Sequence, residues 1–210
     1  MGPRERRERE REEIRTLILD AARELFASEG VESVTMRRIA ERIEYSPTAI
    51  YFHFRDKEAL LAELCDADFR VMSQQFTAIA TIEDPIERLR ATGHAYVEFG
   101  LNNPSHYRVM FMTPKMPAAT AEAKLRKGNP EEDAYEFLKL TIAQAIREGR
   151  FRGDATDPDL MAQIIWSGVH GVVSLEIAKC NDDWVDWRPV RERAKLMIEV
   201  LIDGVAKQKE

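Results

Sequence analysis

Residues 35–61 read TMRRIAERIEYSPTAIYFHFRDKEALL, and the fold follows from how this stretch divides. Thr35 is placed to cap a helix, because its hydroxyl can accept from an unpaired amide of the first turn. Met36, Ile39, Ala40 and Ile43 then recur at helical spacing and give that helix one apolar face. Glu44, Tyr45 and Ser46 form a break. Ser46 caps a second helix and Pro47 takes its first position, where a missing N–H leaves nothing unsatisfied. Ile50 and Phe54, four residues apart, supply the core face of the second helix. Thr48, Ala49, Phe52 and His53 point to the other side, flanked by Tyr51. Asp56 caps a third helix with Lys57 in its first turn. A positive charge there opposes the helix macrodipole, and a bound phosphate would account for it.

A short helix with two aromatics is ordinarily core. Here Ile50 and Phe54 already serve that purpose, and docking in a DNA major groove gives the other aromatics a partner. The stretch from Ile18 to about Asp68 resembles the DNA-binding domain of the tetracycline-repressor (TetR) family. The matching segments are AARELFASEGVESVTMRRIAERI and SPTAIYFHFRDKEALL. The resemblance implies three N-terminal helices as a DNA head and a fourth leading to an all-helical ligand and dimer domain. It also implies a homodimer on a palindromic double-stranded operator. On that footing Tyr51, His53 and Lys57 are expected to anchor phosphates and Arg37 to contact phosphate or a base. Thr48, Ala49 and Phe52 are expected to meet base edges or thymine methyls. The sequence departs from the family at Glu44, where glycine is usual. A side chain held left-handed there costs on the order of 1 kcal/mol, so the turn either carries that strain or is built differently.

Bulk properties fit this reading without suggesting it. The 210 residues are 44% hydrophobic and 32% charged, as in a globular chain of one or two domains. No apolar run is read as approaching the ~20 residues of a membrane span, and no secretory leader is recognised, so a cytoplasmic protein with no membrane partner is expected. Cys65 and Cys180 lack metal-ligand spacing. The net charge is −6. Through Lys57 the chain carries twelve basic and twelve acidic side chains, so the excess acid lies beyond. A neutral head can bind DNA through a local basic face, while an acidic remainder discourages indiscriminate phosphate contact.

Residues 1–13 are set apart as a charged N-terminal arm, residues 14–58 as the helix-turn-helix domain and residues 59–210 as a ligand and dimerisation domain. Two readings of the arm stay open. Its alternating Arg and Glu suit a solvated helical extension, with pairs such as Glu5–Arg9, or a flexible arm entering the minor groove. Ile14, Leu17, Ile18, Ala21, Ala22, Leu25 and Phe26 form a helical stripe that Gly30 ends. Further helices are expected over about 56–80, with Leu60, Leu61, Leu64, Val71 and Met72 inward, and from Pro85 to Asn102. A short apolar segment follows at 106–112, then a mobile loop over 113–130, and then helices over about 131–148, 158–180 and 189–207. The class is all-α with about nine helices.

In the helix from Pro158, Ser167, Gly168, Gly171 and Ser174 form a stripe of small residues. Each interior glycine costs about 1 kcal/mol relative to alanine, which close approach of another backbone would justify. That backbone is either a neighbour in the same chain or, as the resemblance favours, a second subunit in a bundle built from the last two helices. Trp166, His170 and Gly171 also resemble the Trp–His–Gly signature of one C-terminal subtype. Tyr96, Phe99, Tyr107, Met110, Phe111, Trp166 and His170 are candidates to line a site for a small apolar or amphipathic effector. The methionines suit either pocket walls or core filling. No metalloprotease, P-loop, dinucleotide or nucleophile-elbow motif is present, so neither catalysis, metal nor cofactor is expected. The reading is a ligand-responsive transcriptional regulator, most simply a repressor. Its alternative is a helical ligand-binding or adaptor protein with weak or lost DNA binding.

Overall fold

The computed structural model describes residues 2–113 and 127–207. Among them are nine helices: α1 (Pro3–Glu29), α2 (Met36–Arg42), α3 (Pro47–His53), α4 (Lys57–Ile79), α5 (Pro85–Asn102), α6 (Pro104–Phe111), α7 (Ala134–Arg147), α8 (Pro158–Lys179) and α9 (Val190–Val205). The all-α class is thus observed, with one isolated bridge, Phe151 to Ala206. Most of the loop expected to be mobile lies outside the described residues. Caps fall where side-chain chemistry puts them. Thr35 Oγ1 accepts from the Arg38 amide at 3.1 Å, Ser46 Oγ from Ala49 at 3.3 Å and Asp84 Oδ1 from Ile86 at 2.8 Å.

The described chain divides into two compact units. One runs to Asp68 and resumes at Ser105; the other takes in Phe69–Pro104 and the described residues from Lys127 onward. The division falls inside α4.

In the first unit, Ile18, Ala22 and Leu25 of α1, Ile39 of α2, Ile50 of α3, Leu60 and Leu64 of α4 and Tyr107 of α6 are all buried. The stripe expected on α1 holds in its centre and fails at its edge, since Leu17 is 43% exposed. α1 is continuous from Pro3, so residues 3–13 are a solvated helix with i,i+4 pairs Arg4–Glu8 and Arg6–Glu10. Asp68, whose side chain is 1% exposed, lies 2.9 Å from Arg23 Nη2 and 2.9 Å from His106 Nδ1. A buried carboxylate needs such partners. Beside it, burial pushes the Cys65 thiol up to about 12; the other cysteine, Cys180, is exposed.

In the second unit, α5, α7, α8 and α9 share a core of Leu89, Phe99, Ile142, Val173, Ile198 and Ile202. Val71, expected inward, is 43% exposed. The small-residue stripe of α8 splits in two. A β-carbon on Gly168 would come within 2.5 Å of Leu201 Cδ1, so this glycine serves close packing of α8 on α9 in the same chain. A β-carbon on Gly171 would meet nothing within 4 Å. Leu160, Ile164 and Leu175, on the same face as Gly171, are exposed, as are Leu196 and Val200 of α9. By length and composition α8 alone among the described helices could cross a membrane, against the expectation that no run came near that length. Met161, Ile165, Val169 and Val172 on its inner face are buried in this unit.

Candidate nucleic-acid interface

The turn between α2 and α3 is built from a left-handed glutamate. Glu44 has φ 61°, the one positive φ outside glycine among the described residues. The Tyr45 amide donates to the Ala40 carbonyl at 3.0 Å and the Glu44 amide to that of Glu41 at 3.3 Å. This is the Schellman arrangement, whose left-handed position usually falls to glycine. The geometry of the turn is therefore kept and the strain is carried, resolving the two alternatives raised by Glu44.

The turn delivers α3 with Ile50 fully buried and Phe54, its C-cap, 3% exposed, while Tyr51 is 54% and Phe52 71% exposed. Thr48 is exposed and Ala49 half-buried. Two large aromatics thus face outward from a helix that buries its core side elsewhere. His53 is half-buried, with Nδ1 lacking a hydrogen-bond partner among the described residues. Burial lowers its pKa, and the nearby Arg11 and Arg15 lower it further.

Lys57 stands differently from its expected place. Nζ donates to the carbonyls of Val31 at 2.9 Å and Val34 at 3.1 Å, fastening the loop between α1 and α2. Those carbonyls account for a lysine in the first turn of α4, so no phosphate is needed to explain it. Arg37 is exposed but paired with Glu41 at 3.1 Å. Arg38 pairs with Glu29, Arg42 with Glu24 and Arg55 with Asp56. The local basic face expected on the head is thus answered by its own carboxylates.

Two arginines stand beside α3, Arg15, which the sequence reading passed over, and Arg11, which it placed only in the N-terminal arm. Arg15 stacks on the Phe54 ring at 4.3 Å, donates to the His53 carbonyl at 2.8 Å and pairs with Glu63. Arg11 lies over the Phe52 ring at 5.5 Å. Their spacing of four on one helix face was the available signal.

The effector candidates fall in both units. In the second, the Trp166 indole N–H donates to Tyr96 Oη at 2.9 Å, and Tyr96 Oη lies 3.2 Å from His170 Nδ1. The indole can only donate, so Tyr96 Oη accepts from it, and the tautomer of the neutral imidazole decides whether Oη also accepts from Nδ1 or donates to it. Burial lowers the His170 pKa and favours that neutral form. Phe99, 1% exposed, is core. In the first unit Tyr107 and Met110 are buried, and the Tyr107 ring meets that of Phe111 in a tilted contact, 4.9 Å between centroids and 53° between planes.

Comparison with known proteins agrees with this geometry. The family profile for bacterial regulatory proteins of the tetR family matches residues 18–64, and the profile for a tetracyclin repressor-like C-terminal domain matches residues 89–201. The chain is 37% identical over 78 residues to the HTH-type transcriptional regulator UidR of Escherichia coli K12, covering 37% of each protein. It spans half or less of the length of UidR and of YobS from Bacillus subtilis. Its fold is similar to that of a TetR family transcription regulator from Marinobacter aquaeolei, with TM-score 0.72, 19% identity and coverage of 97% and 100%. It is also similar to AibR in complex with isovaleryl coenzyme A and operator DNA, with TM-score 0.69, 22% identity and coverage of 90% and 97%.

Proposed function

The chain belongs to the tetR family of bacterial regulatory proteins, and on that premise we propose that it is a cytoplasmic transcriptional regulator, a repressor, that binds a palindromic DNA operator as a homodimer and is released by a small-molecule effector. The observation that carries this reading is α3, which buries Ile50 and leaves Tyr51 and Phe52 exposed beside Thr48. An α-helix presented in this way fits the major groove. Phe52, Thr48 and Ala49 meet base edges and thymine methyls, while Tyr51, His53 and Arg37 take phosphates. Lys57 acts here chiefly by holding the loop at Val31 and Val34.

The exposed stripe Leu160, Ile164 and Leu175 of α8, with Leu196 and Val200 of α9, supports dimerisation through the last two helices. The open side of Gly171 belongs to that face. The Tyr96–Trp166–His170 network is the most orderly polar group among the effector candidates, and it is consistent with the Trp–His–Gly subtype. The effector group that suits this network is a polar one, an acceptor or a donor according to the His170 tautomer. AibR, crystallised with isovaleryl coenzyme A and operator DNA, makes acyl thioesters sensible first probes. Effector binding lowers operator affinity by shifting the population between two states of the dimer.

Selection of bound duplex from a random pool, followed by a gel-shift titration with isovaleryl coenzyme A and related acyl thioesters, tests the reading. A selected palindrome whose affinity falls in the presence of one thioester is the expected result. Binding that no thioester changes refutes the acyl-thioester assignment, and failure to select any duplex refutes the regulator. One observation favours the second reading, a helical ligand-binding protein with weak DNA affinity: the head pairs its cations internally. The salt dependence of binding separates the two, since a regulator loses about 0.9 in log–log slope per phosphate it neutralises.

A further inference from the structure

We infer that Arg7 and Arg11, on the N-terminal extension of α1, form a phosphate-binding face that continues the surface of α3 onto the DNA backbone. This rests on the DNA-binding reading above and extends it to residues outside the helix-turn-helix. The starting point is a shortage. Every cation from Arg15 to Lys57 has a partner within its own unit, a carboxylate for each arginine and two carbonyls for Lys57. Phosphate contact dominates affinity for DNA, so a binder needs cations that are not already answered. Among the described residues Arg7 and Arg11 make no ion pair.

Their position is as important as their charge. Arg4, Arg7, Arg11 and Arg15 recur at i, i+3, i+7 and i+11, which puts them on one side of a continuous helix. That side is rooted against α3 by Arg15 on Phe54 and by Arg11 over Phe52. Phe52 is the most exposed aromatic of α3, so a duplex that reaches its ring also meets the Arg11 guanidinium. Arg7 stands one turn further, about 6 Å along the axis.

The acidic residues interleaved with them do not cancel the face. Glu8 and Glu10 pair with Arg4 and Arg6, and Glu5 accepts from the Gly2 amide at 2.8 Å. Glu12 stands about 100° around the helix from Arg11. The extension is already helical, so little ordering is lost when it meets DNA, and the planar guanidinium suits two phosphate oxygens at once.

The test uses the full chain and the duplex it selects, with binding followed by fluorescence anisotropy between about 50 and 200 mM salt. The Arg7→Gln/Arg11→Gln variant is expected to lose about 1.8 in slope per bound chain, and on the order of tenfold or more in affinity near 0.1 M salt, at about 0.9 in slope for each phosphate. The sequence it selects stays that of the wild type, because phosphate contacts carry no base information. The Arg7→Lys/Arg11→Lys variant keeps the charges and is expected to retain the slope. An unchanged slope and affinity in the glutamine variant overturns the inference alone. Equal losses in the glutamine and lysine variants, with a lowered thermal midpoint, assign the effect to folding and overturn it too. A wild-type chain that selects no duplex overturns this inference together with the regulator.

Discussion

Replacing Glu44 with glycine is expected to stabilise the DNA-binding unit. At φ 61° the β-carbon crowds the following carbonyl, at a cost of about 1–2 kcal/mol. The exposed carboxylate also sits past the C-terminal end of α2, where the macrodipole disfavours a negative charge by roughly 0.3 kcal/mol or somewhat more. Glycine returns about 0.4–1 kcal/mol through its freer unfolded chain. The net gain is about 1 kcal/mol, equivalent to a thermal midpoint raised by about 2–4 °C in a chain of this length. Glu44→Gln separates the causes, since it removes the charge and keeps the β-carbon. Its gain is expected to be a few tenths of a kcal/mol, leaving about 0.5–1 kcal/mol between glutamine and glycine for the backbone. Urea unfolding of the three proteins measures the totals. Hydrogen exchange at the Tyr45 amide, which donates to the Ala40 carbonyl across the turn, reports the site itself and is expected to slow about fivefold for a gain of this size. A glycine variant no more stable than the glutamine variant would show that the left-handed position is unstrained, and the argument from the Schellman turn would fall.

Lys57→Met removes the ammonium that holds the Val31 and Val34 carbonyls and is expected to cost about 2 kcal/mol by urea unfolding; the salt slope of DNA binding is expected to stay as in the wild type, and a reduced slope at unchanged stability would reinstate a phosphate role. Gly168→Ala is expected to destabilise by about 1 kcal/mol because its β-carbon meets Leu201, whereas in a Leu201→Ala background it becomes neutral or favourable. Additive effects in that double-mutant cycle would refute the close approach. Burial holds His53 and His170 below their ordinary value of 6.5, so below that pH the unfolded chain takes up protons that the native chain resists. Stability contributed by these neutral imidazoles is full above about 6.5 and falls as pH drops through the depressed values. Imidazole resonances titrating at or above 6.5 would contradict this.

The centre of the fold was legible because its signals are local. The α1 stripe, the caps at Thr35 and Ser46, Pro47 at the start of α3 and Gly30 at the end of α1 all act within a turn or two of themselves. The pairing of Ile50 with Phe54 belongs here too, and from it followed the exposure of Tyr51 and Phe52. What the sequence could not show depends on distant partners. Lys57 finds its carbonyls 23 and 26 residues away, and no local rule distinguishes a lysine that awaits phosphate from one that is already bonded. Leu17 and Val71 sit at the edges of stripes, where the rotation of a helix decides exposure. Gly168 and Gly171 share a stripe in sequence, yet only the packing of α9 separates the one that meets Leu201 from the one that meets nothing. Arg11 lies 41 positions from Phe52, and its contact became visible only when α1 proved continuous from Pro3.

The internally paired cations of the head have a consequence for how such a regulator would live in a cell. A phosphate that draws Arg38 or Arg42 must take it from Glu29 or Glu24, so on arbitrary chromosome one charged contact is exchanged for another with little gain. Base contacts from α3 are what tip the exchange at the right site. Exchange at these paired arginines therefore adds little to binding on irrelevant sequence, and attraction that is blind to sequence is left to cations without such a partner.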